Sequence, residues 1–258
     1  MENLSNIIEE HMYSFHRLAG NVEDIGSALL FSNRSLPSAT YNHATRVRVA
    51  ESESEKLIAD VIRYYQSISI NACFMLYPTT LPTSFADTLL EAGFGLIDEE
   101  VAMVFQRKAL NLKVNPDVHI AKISAAQLGV WTRVLMRGYG LPESFQGVVQ
   151  RMFAKVGRQN CSRFYLASIL DNPVGSCLLY WLDDTATIYT VATIPEFTRK
   201  GVATALISRA IADSLKFGCN MLYLLVEKES QTERLYEKLG FEQVFVRKLY
   251  EFHPEKQK

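Results

Sequence analysis

The chain is poor in the residues that would staple or anchor a protein. Its 258 residues hold four cysteines, Cys73, Cys161, Cys177 and Cys219, widely scattered and with no CxxC pair. With the cysteines scattered and unpaired in sequence, neither a zinc site nor a disulfide framework is expected. The thiols read instead as buried or half-buried residues of a reducing cytoplasm. Charge of one sign is also missing. The 27 Lys and Arg against 28 Asp and Glu leave a net charge of −1. No global basic field recruits nucleic acid or anionic lipid, although a local patch can still hold a small anion. No uninterrupted apolar run is long enough to span a membrane. The start, Met1-Glu2-Asn3-Leu4-Ser5-Asn6, lacks the basic opening and apolar core of a secretory leader. A cytoplasmic protein with neither a membrane nor a nucleic-acid partner is expected.

What is present is an ordinary globular composition, 48% hydrophobic and 21% charged. The length suits one or two domains. Residues 7–18 have helical spacing, and the rest of 1–40 reads as irregular. Strand and helix patterns then alternate. Residues 44–50 alternate polar and apolar as a strand does. Residues 54–66 place Leu57, Ile58, Val61, Ile62 and Tyr65 at helical spacing. Residues 72–77 and 96–106 read as strands around a helix at 84–92 that stops at Gly93. A polar connector at 108–117 contains Asn115-Pro116 and sets a boundary between domains 1–115 and 116–258. The second series has strands at 118–124, 162–170, 174–182, 185–194, 221–227 and 242–251. Its helices fall at 125–136, 143–156, 201–216 and 232–239. The halves read as copies: Leu90-Glu91-Ala92-Gly93-Phe94 and Glu237-Lys238-Leu239-Gly240-Phe241 occupy the same place in the same order of elements.

The most informative stretch is 188–206, a strand, a proline turn, a basic loop with glycine, and a helix. Successive backbone N–H groups at a helix N-terminus, with the positive end of its dipole, bind phosphate. Gly201 removes a Cβ where a diphosphate approaches the backbone, Ala203 keeps the next turn small, and Arg199 and Lys200 add positive charge. The triplet by itself also suits a basic turn before a core helix. In its context the stretch resembles the acetyl-CoA loop of the GNAT superfamily of N-acyltransferases, with the Gln/Arg-x-x-Gly-x-Gly/Ala pattern falling on Thr198-Arg199-Lys200-Gly201-Val202-Ala203. Thr198 departs from the pattern's first position. Downstream, Arg234-Leu235-Tyr236-Glu237-Lys238-Leu239-Gly240-Phe241 resembles the same superfamily's C-terminal motif. The resemblance covers residues 118–252.

That resemblance implies an α/β fold (α+β with mixed sheets) in tandem: two mixed central sheets flanked by helices, the N-terminal copy degenerate. It implies acetyl-CoA as cosubstrate and an amine-bearing acceptor. The pantetheine arm would pair with the backbone of Val191, Ala192 and Thr193, which needs that strand to splay from 221–227. The diphosphate would lie on Arg199, Lys200, Gly201, Val202, Ala203 and Thr204. Tyr236 would be the general acid, since a phenol with an ordinary pKa near 10 carries a proton at pH 7. Thr187 stands where some members carry a basic Glu, which leaves Glu227, a water relay or an already neutral amine. The five histidines read as surface or satisfied residues. Tyr139, Phe145, Trp181 and Tyr189 hint at a partly apolar acceptor. In the first half the matching loop is Ala50-Glu51-Ser52-Glu53-Ser54-Glu55, without glycine, and Leu89 replaces the tyrosine. Two other readings remain open: a non-catalytic acyl-CoA-binding or sensing module, and a tandem relative that transfers from charged tRNA.

Overall fold

The structure, a computed structural model, describes residues 2–107 and 114–254. In chain order the helices are α1 (Glu2–Ala19), α2 (Ser54–Ser67), α3 (Phe85–Glu91), α4 (Leu128–Gly138), α5 (Gln146–Gly157), α6 (Val202–Lys216) and α7 (Gln231–Lys238). The strands are β1 (Asn21–Asp24), β2 (Leu29–Ser32), β3 (His43–Thr45), β4 (Cys73–Leu76), β5 (Phe94–Phe105), β6 (His119–Lys122), β7 (Ser162–Ile169), β8 (Asn172–Leu182), β9 (Thr185–Thr193), β10 (Met221–Glu227) and β11 (Phe241–Phe252). They form two compact units. The first comprises Met1–Ala102, Val226–Ser230 and Val244–Lys258; the second comprises Met103–Leu225 and Gln231–Gln243.

The first unit is a mixed sheet in the order β1-β2-β3-β4-β11-β5, so the last strand of the chain is one of its inner strands. Residues 248–251 of β11 run antiparallel to β4, with Lys248 opposite Leu76 and Glu251 opposite Cys73. Helix α1 buries Ile8, Met12, Phe15 and Ala19, the i, i+4, i+7 stripe of an amphipathic helix. Helix α2 packs Leu57, Ile58, Val61 and Tyr65 into a core with Phe74, Phe85 and Phe94. Two charged side chains lie in this unit at 2% exposure, Glu9 and Arg247. Glu9 accepts from the hydroxyls of Tyr13 and Thr79. Arg247 donates to Glu100 Oε2 at 2.6 and 2.9 Å and to Tyr77 Oη at 2.7 Å. Both are paired, as buried charges must be.

Two expectations fail in this unit. The irregular stretch after α1 is an antiparallel hairpin, β1 and β2, each of four residues. That is too short for a period to declare itself. The strand expected at 44–50 is confined to β3, because Arg46 turns into the left-handed region at φ 51°. Arg48 then pairs with Leu81 through an isolated parallel bridge.

The second unit is a mixed sheet in the order β10-β9-β8-β7-β6. The β7–β8 hairpin closes on Leu170 and Asp171, at φ 49° and 61°; Asn172 and Pro173, expected in the turn, pair with Ile169 and Ser168 as the start of β8. Its core is built around Trp131 of α4, with ring centroids 4.9 Å from both Phe153 and Phe164. Helices α4 and α6 cover opposite faces of β8 and β9. A Cβ on Gly175 of β8 would lie 2.4 Å from Val202 Cγ1 of α6. One step along the ladder, the Ala192 Cβ faces Gly138 of α4. These two glycines let both helices approach the same segment of sheet. The remaining elements lie within a few residues of their sequence-based positions.

Candidate functional site

The site is the end of β9 and the start of α6, within the second unit. β9 pairs in parallel with β10 only from Thr185 to Thr187, opposite Met221 to Tyr223. Beyond Thr187 the two strands have no register, so the expected splay is present. On its other side β9 stays paired with β8, but with a shift: Tyr189 is opposite Leu178 and Ala192 opposite Ser176. Thr190 and Val191 therefore face Cys177 alone, a β-bulge, and Thr190 takes φ 52°. Positive φ on a β-branched residue is costly and is kept where surrounding structure enforces it. The bulge re-aims the backbone of the strand at Val191.

After Ile194 the chain makes a 3-10 turn, Pro195–Phe197, and two left-handed residues, Arg199 at φ 59° and Gly201 at φ 79°, before α6. No side chain caps α6, and its first turn has no acidic residue. The N–H groups of Val202, Ala203 and Thr204 belong to that first turn, where helices leave donors unpaired. A 15-residue helix adds its positive dipole end to these donors. Arg199 is exposed beside them, and the Lys200 ammonium lies 4.3 Å above the Phe197 ring.

Asn115 is a site residue that the sequence reading placed in a linker. Its Nδ2 donates to Lys200 O at 2.9 Å. A Cβ on Gly201 would come within 3.2 Å of the Asn115 Cβ. Asn115, Asp117, Ile169, Arg199 and Gly201 line a depression of about 820 Å³ at the loop. The Asn115-Pro116 pair marked the place as a turn, but nothing local marked its partner.

Tyr236 lies on α7 at 6% exposure, its ring centroid 5.9 Å from that of Phe241. Burial pushes its phenol well above 10, with Tyr139 and Cys177 as neighbouring titratable groups. It therefore holds its proton throughout the neutral range. The Tyr139 hydroxyl donates to Val191 O at 3.4 Å. Trp181, read as a possible acceptor aromatic, stacks on Phe217 with centroids 4.6 Å apart. Thr187 is buried at 1% exposure. Glu227 is exposed at the end of β10, within the first unit. There it lines a shallow hollow with Leu96, Ile97 and Asp98. Burial, reinforced by Glu100 and Glu227, raises the Asp98 carboxyl above its usual range.

The reading of the histidines needs correcting. His11, His16 and His43 are buried, and neither ring nitrogen of His16 has a hydrogen-bond partner among the described residues. Burial lowers His16 well below the usual imidazole range and brings His43 down to about 4. Their ring centroids are 5.3 Å apart. They lie in the first unit and form part of its core. All four cysteines are free thiols, and no group of three or more metal-ligating side chains occurs among the described residues. No described helix is long and apolar enough to cross a membrane.

In the first half, Glu51–Glu53 form a 3-10 turn before α2, and none of these residues has positive φ. Glu51 accepts from Ser84 Oγ at 2.7 Å. Leu89 is fully buried.

The strand that leaves its neighbour beyond Thr187 leads through a left-handed glycine into a helix N-terminus with no side-chain cap, which presents backbone donors in line with an open stretch of strand. Residues 131–241 match the model of the Acetyltransferase (GNAT) family. A curated relative, the [ribosomal protein bS18]-alanine N-acetyltransferase of Haemophilus influenzae, is 26% identical over 100 residues, 38% of this chain and 68% of that protein. Among solved structures, a GCN5-related N-acetyltransferase from Kribbella flavida has a TM-score of 0.73 at 14% identity, covering 95% of this chain and 94% of that one. A GCN5-related N-acetyltransferase from Sphaerobacter thermophilus has a TM-score of 0.67 at 15% identity, covering 88% and 78%. The mixed α/β fold is thus shared along nearly the whole chain.

Proposed function

We propose that the protein is an acyl-CoA-dependent N-acyltransferase that moves the acetyl group of acetyl-CoA to an amine by direct attack on the thioester. The observation that carries this reading is the loss of β9–β10 pairing beyond Thr187, directly before the Gly201 loop. It supplies, in line, an edge for the pantetheine arm at Val191, Ala192 and Thr193 and a donor cradle for the diphosphate from Arg199 to Thr204. Holding both reactants in line can supply roughly 7–11 kcal/mol of the barrier. A backbone N–H near Val191, aimed by the bulge, would polarise the thioester carbonyl, a contribution of roughly 2.7–4 kcal/mol for a preorganised donor. Tyr236, kept protonated by burial, would give its proton to the leaving thiolate.

We read residues 1–115 as a degraded copy of the same fold. The support is the repeated order β4-α3-β5 and β10-α7-β11, each with a left-handed glycine, Gly93 or Gly240, before its last strand. The acidic loop at Glu51 and the buried Leu89 leave that copy without cradle or acid. The acceptor is unassigned. Because the Haemophilus relative is named for acting on a protein alanine, peptides that begin with alanine belong in the screen beside small amines and amino acids. Free-thiol release from acetyl-CoA identifies the acceptor, and calorimetry counts the donor sites. One CoA per chain is expected, and Gly201→Glu, which sets a carboxylate against the diphosphate, is expected to abolish binding. Two CoA per chain, or unchanged affinity in that variant, overturns the reading.

A further inference from the structure

We propose that Asn115 is a positioning residue for the donor site: it holds the peptide between Lys200 and Gly201, so that the Gly201 N–H keeps one direction as the first donor of the diphosphate cradle. The inference rests on the reading of the Arg199–Thr204 loop proposed above and adds to it a residue from the segment before β6. The Asn115 side chain donates from Nδ2 to Lys200 O at 2.9 Å, across 85 positions of sequence. The Lys200–Gly201 peptide is trans, and in a trans peptide the carbonyl and the N–H point in opposite directions. Tying the Lys200 carbonyl to Asn115 therefore turns the Gly201 N–H to the side away from Asn115.

The loop needs a hold from outside itself. Arg199 and Gly201 both take positive φ, 59° and 79°, with Lys200 between them. Glycine occupies either sign of φ at little cost, so Gly201 permits this turn without enforcing it. Each end of the tie is itself held. Asn115 Oδ1 accepts from Asp117 N–H at 3.0 Å, and Asn115 O accepts from Val118 N–H at 3.2 Å. A backbone N–H only donates and a carbonyl only accepts, so these partners also fix which end of the Asn115 amide faces Lys200. Pro116 locks its own φ, and His119 then enters β6 opposite Ser168 of β7. On the other side, the Lys200 ammonium rests 4.3 Å above the Phe197 ring. A Cβ on Gly201 would come within 3.2 Å of the Asn115 Cβ, so the same glycine gives the left-handed turn and the room for Asn115. With both ends set in advance, binding has little of this loop left to order.

The test is calorimetry on the full chain with CoA and with 3′-phospho-ADP, which carries the diphosphate without the pantetheine arm. Beside it stand spectra of protein labelled with ¹⁵N at its 13 glycines. Asn115→Ala removes the tie and keeps the Cβ beside Gly201. Asn115→Asp keeps the acceptor for Asp117 N–H and puts a carboxylate where the donor was. Losing one hydrogen bond that orients a phosphate donor weakens both ligands by about three- to tenfold in the Ala variant, and at least as much in the Asp variant. Before any ligand is added, the Gly201 amide resonance, identified by its loss in Gly201→Ala, moves or broadens in Asn115→Ala. The other glycine resonances keep their positions, and the melting temperature falls by no more than about 2 °C. A larger fall with shifts spread over the other glycines reports a merely structural role and overturns the proposal. Parental affinity in either variant overturns it as well. If Gly201→Glu abolishes both ligands while Asn115→Ala binds them like the parent, the donor site stands and the role of Asn115 alone falls. If the parent protein binds no CoA, the donor reading falls and takes this role with it.

Discussion

Replacing Gly175 by alanine tests whether the approach of α6 to the sheet builds the anion cradle. The added Cβ would lie 2.4 Å from Val202 Cγ1, 3.1 Å from Ala192 O and 3.1 Å from Leu206 Cδ1. Neither of the nearest two can yield easily. Val202 is β-branched, with one strongly preferred rotamer in a helix. Ala192 O is backbone of the strand that carries the site. The first turn of α6 must therefore move outward by several tenths of an ångström. Overpacking of this kind costs about 1–3 kcal/mol. For a chain of this size that lowers the melting temperature by about 2–4 °C per kcal/mol. The same displacement moves the N–H groups of Val202 to Thr204 away from the diphosphate, so CoA affinity falls along with stability. Gly218→Ala is the control. Unlike Gly175, Gly218 has a positive φ of 80°, and nothing lies within 4 Å of its Cβ. It should lose about 1 kcal/mol from backbone strain and leave CoA binding intact. Scanning calorimetry and CoA titration on the two variants give both readouts. If Gly175→Ala melts and binds like the parent, close packing of α6 on β8 does not set the cradle.

Three further outcomes follow from the same structure. Tyr236→Phe keeps the ring against Phe241 and removes the proton, so kcat should fall at least about tenfold with CoA affinity retained; parental turnover across neutral pH rules Tyr236 out as the acid. His43 is buried and neutral with its pKa down at about 4, against about 6.5 unfolded, so below pH 6.5 the unfolded chain binds the extra proton first. Stability should therefore fall as the pH drops from about 6.5 towards 4, by up to about 3 kcal/mol for this residue, with His16 adding to the loss; a urea midpoint that does not change over this window counts against it. A fragment of residues 116–258 strips β11 of its β4 partner and exposes Phe245, Leu249 and Phe252, so it should aggregate or unfold without cooperativity; a soluble fragment with the parent's constants would make the first half dispensable.

Local signals carried much of the fold. Helix α2 runs from Ser54 to Ser67, one residue past the expected 54–66, and β10 covers the 221–227 expected of it. Gly93 and Gly201 each sit in the left-handed region at a helix boundary that the sequence marks. Periods of 3.6 and 2 and the need for glycine at positive φ are properties of a few neighbouring residues, so a sequence by itself displays them. Pairing and burial are set by residues distant in the chain, and the tertiary structure decided them. It decided that β9 leaves β10 at Thr187 and bulges at Thr190, that Asn115 holds Lys200, and that Tyr236 is buried beside Tyr139 and Cys177. It also set the last strand against β4, where Arg247 finds Glu100 and Tyr77. No window of sequence contains both members of those pairs, and a buried histidine such as His16 reads the same in sequence as an exposed one. The loop was legible because its chemistry is written in consecutive residues; the splayed edge beside it exists only because a strand more than thirty residues away stops pairing.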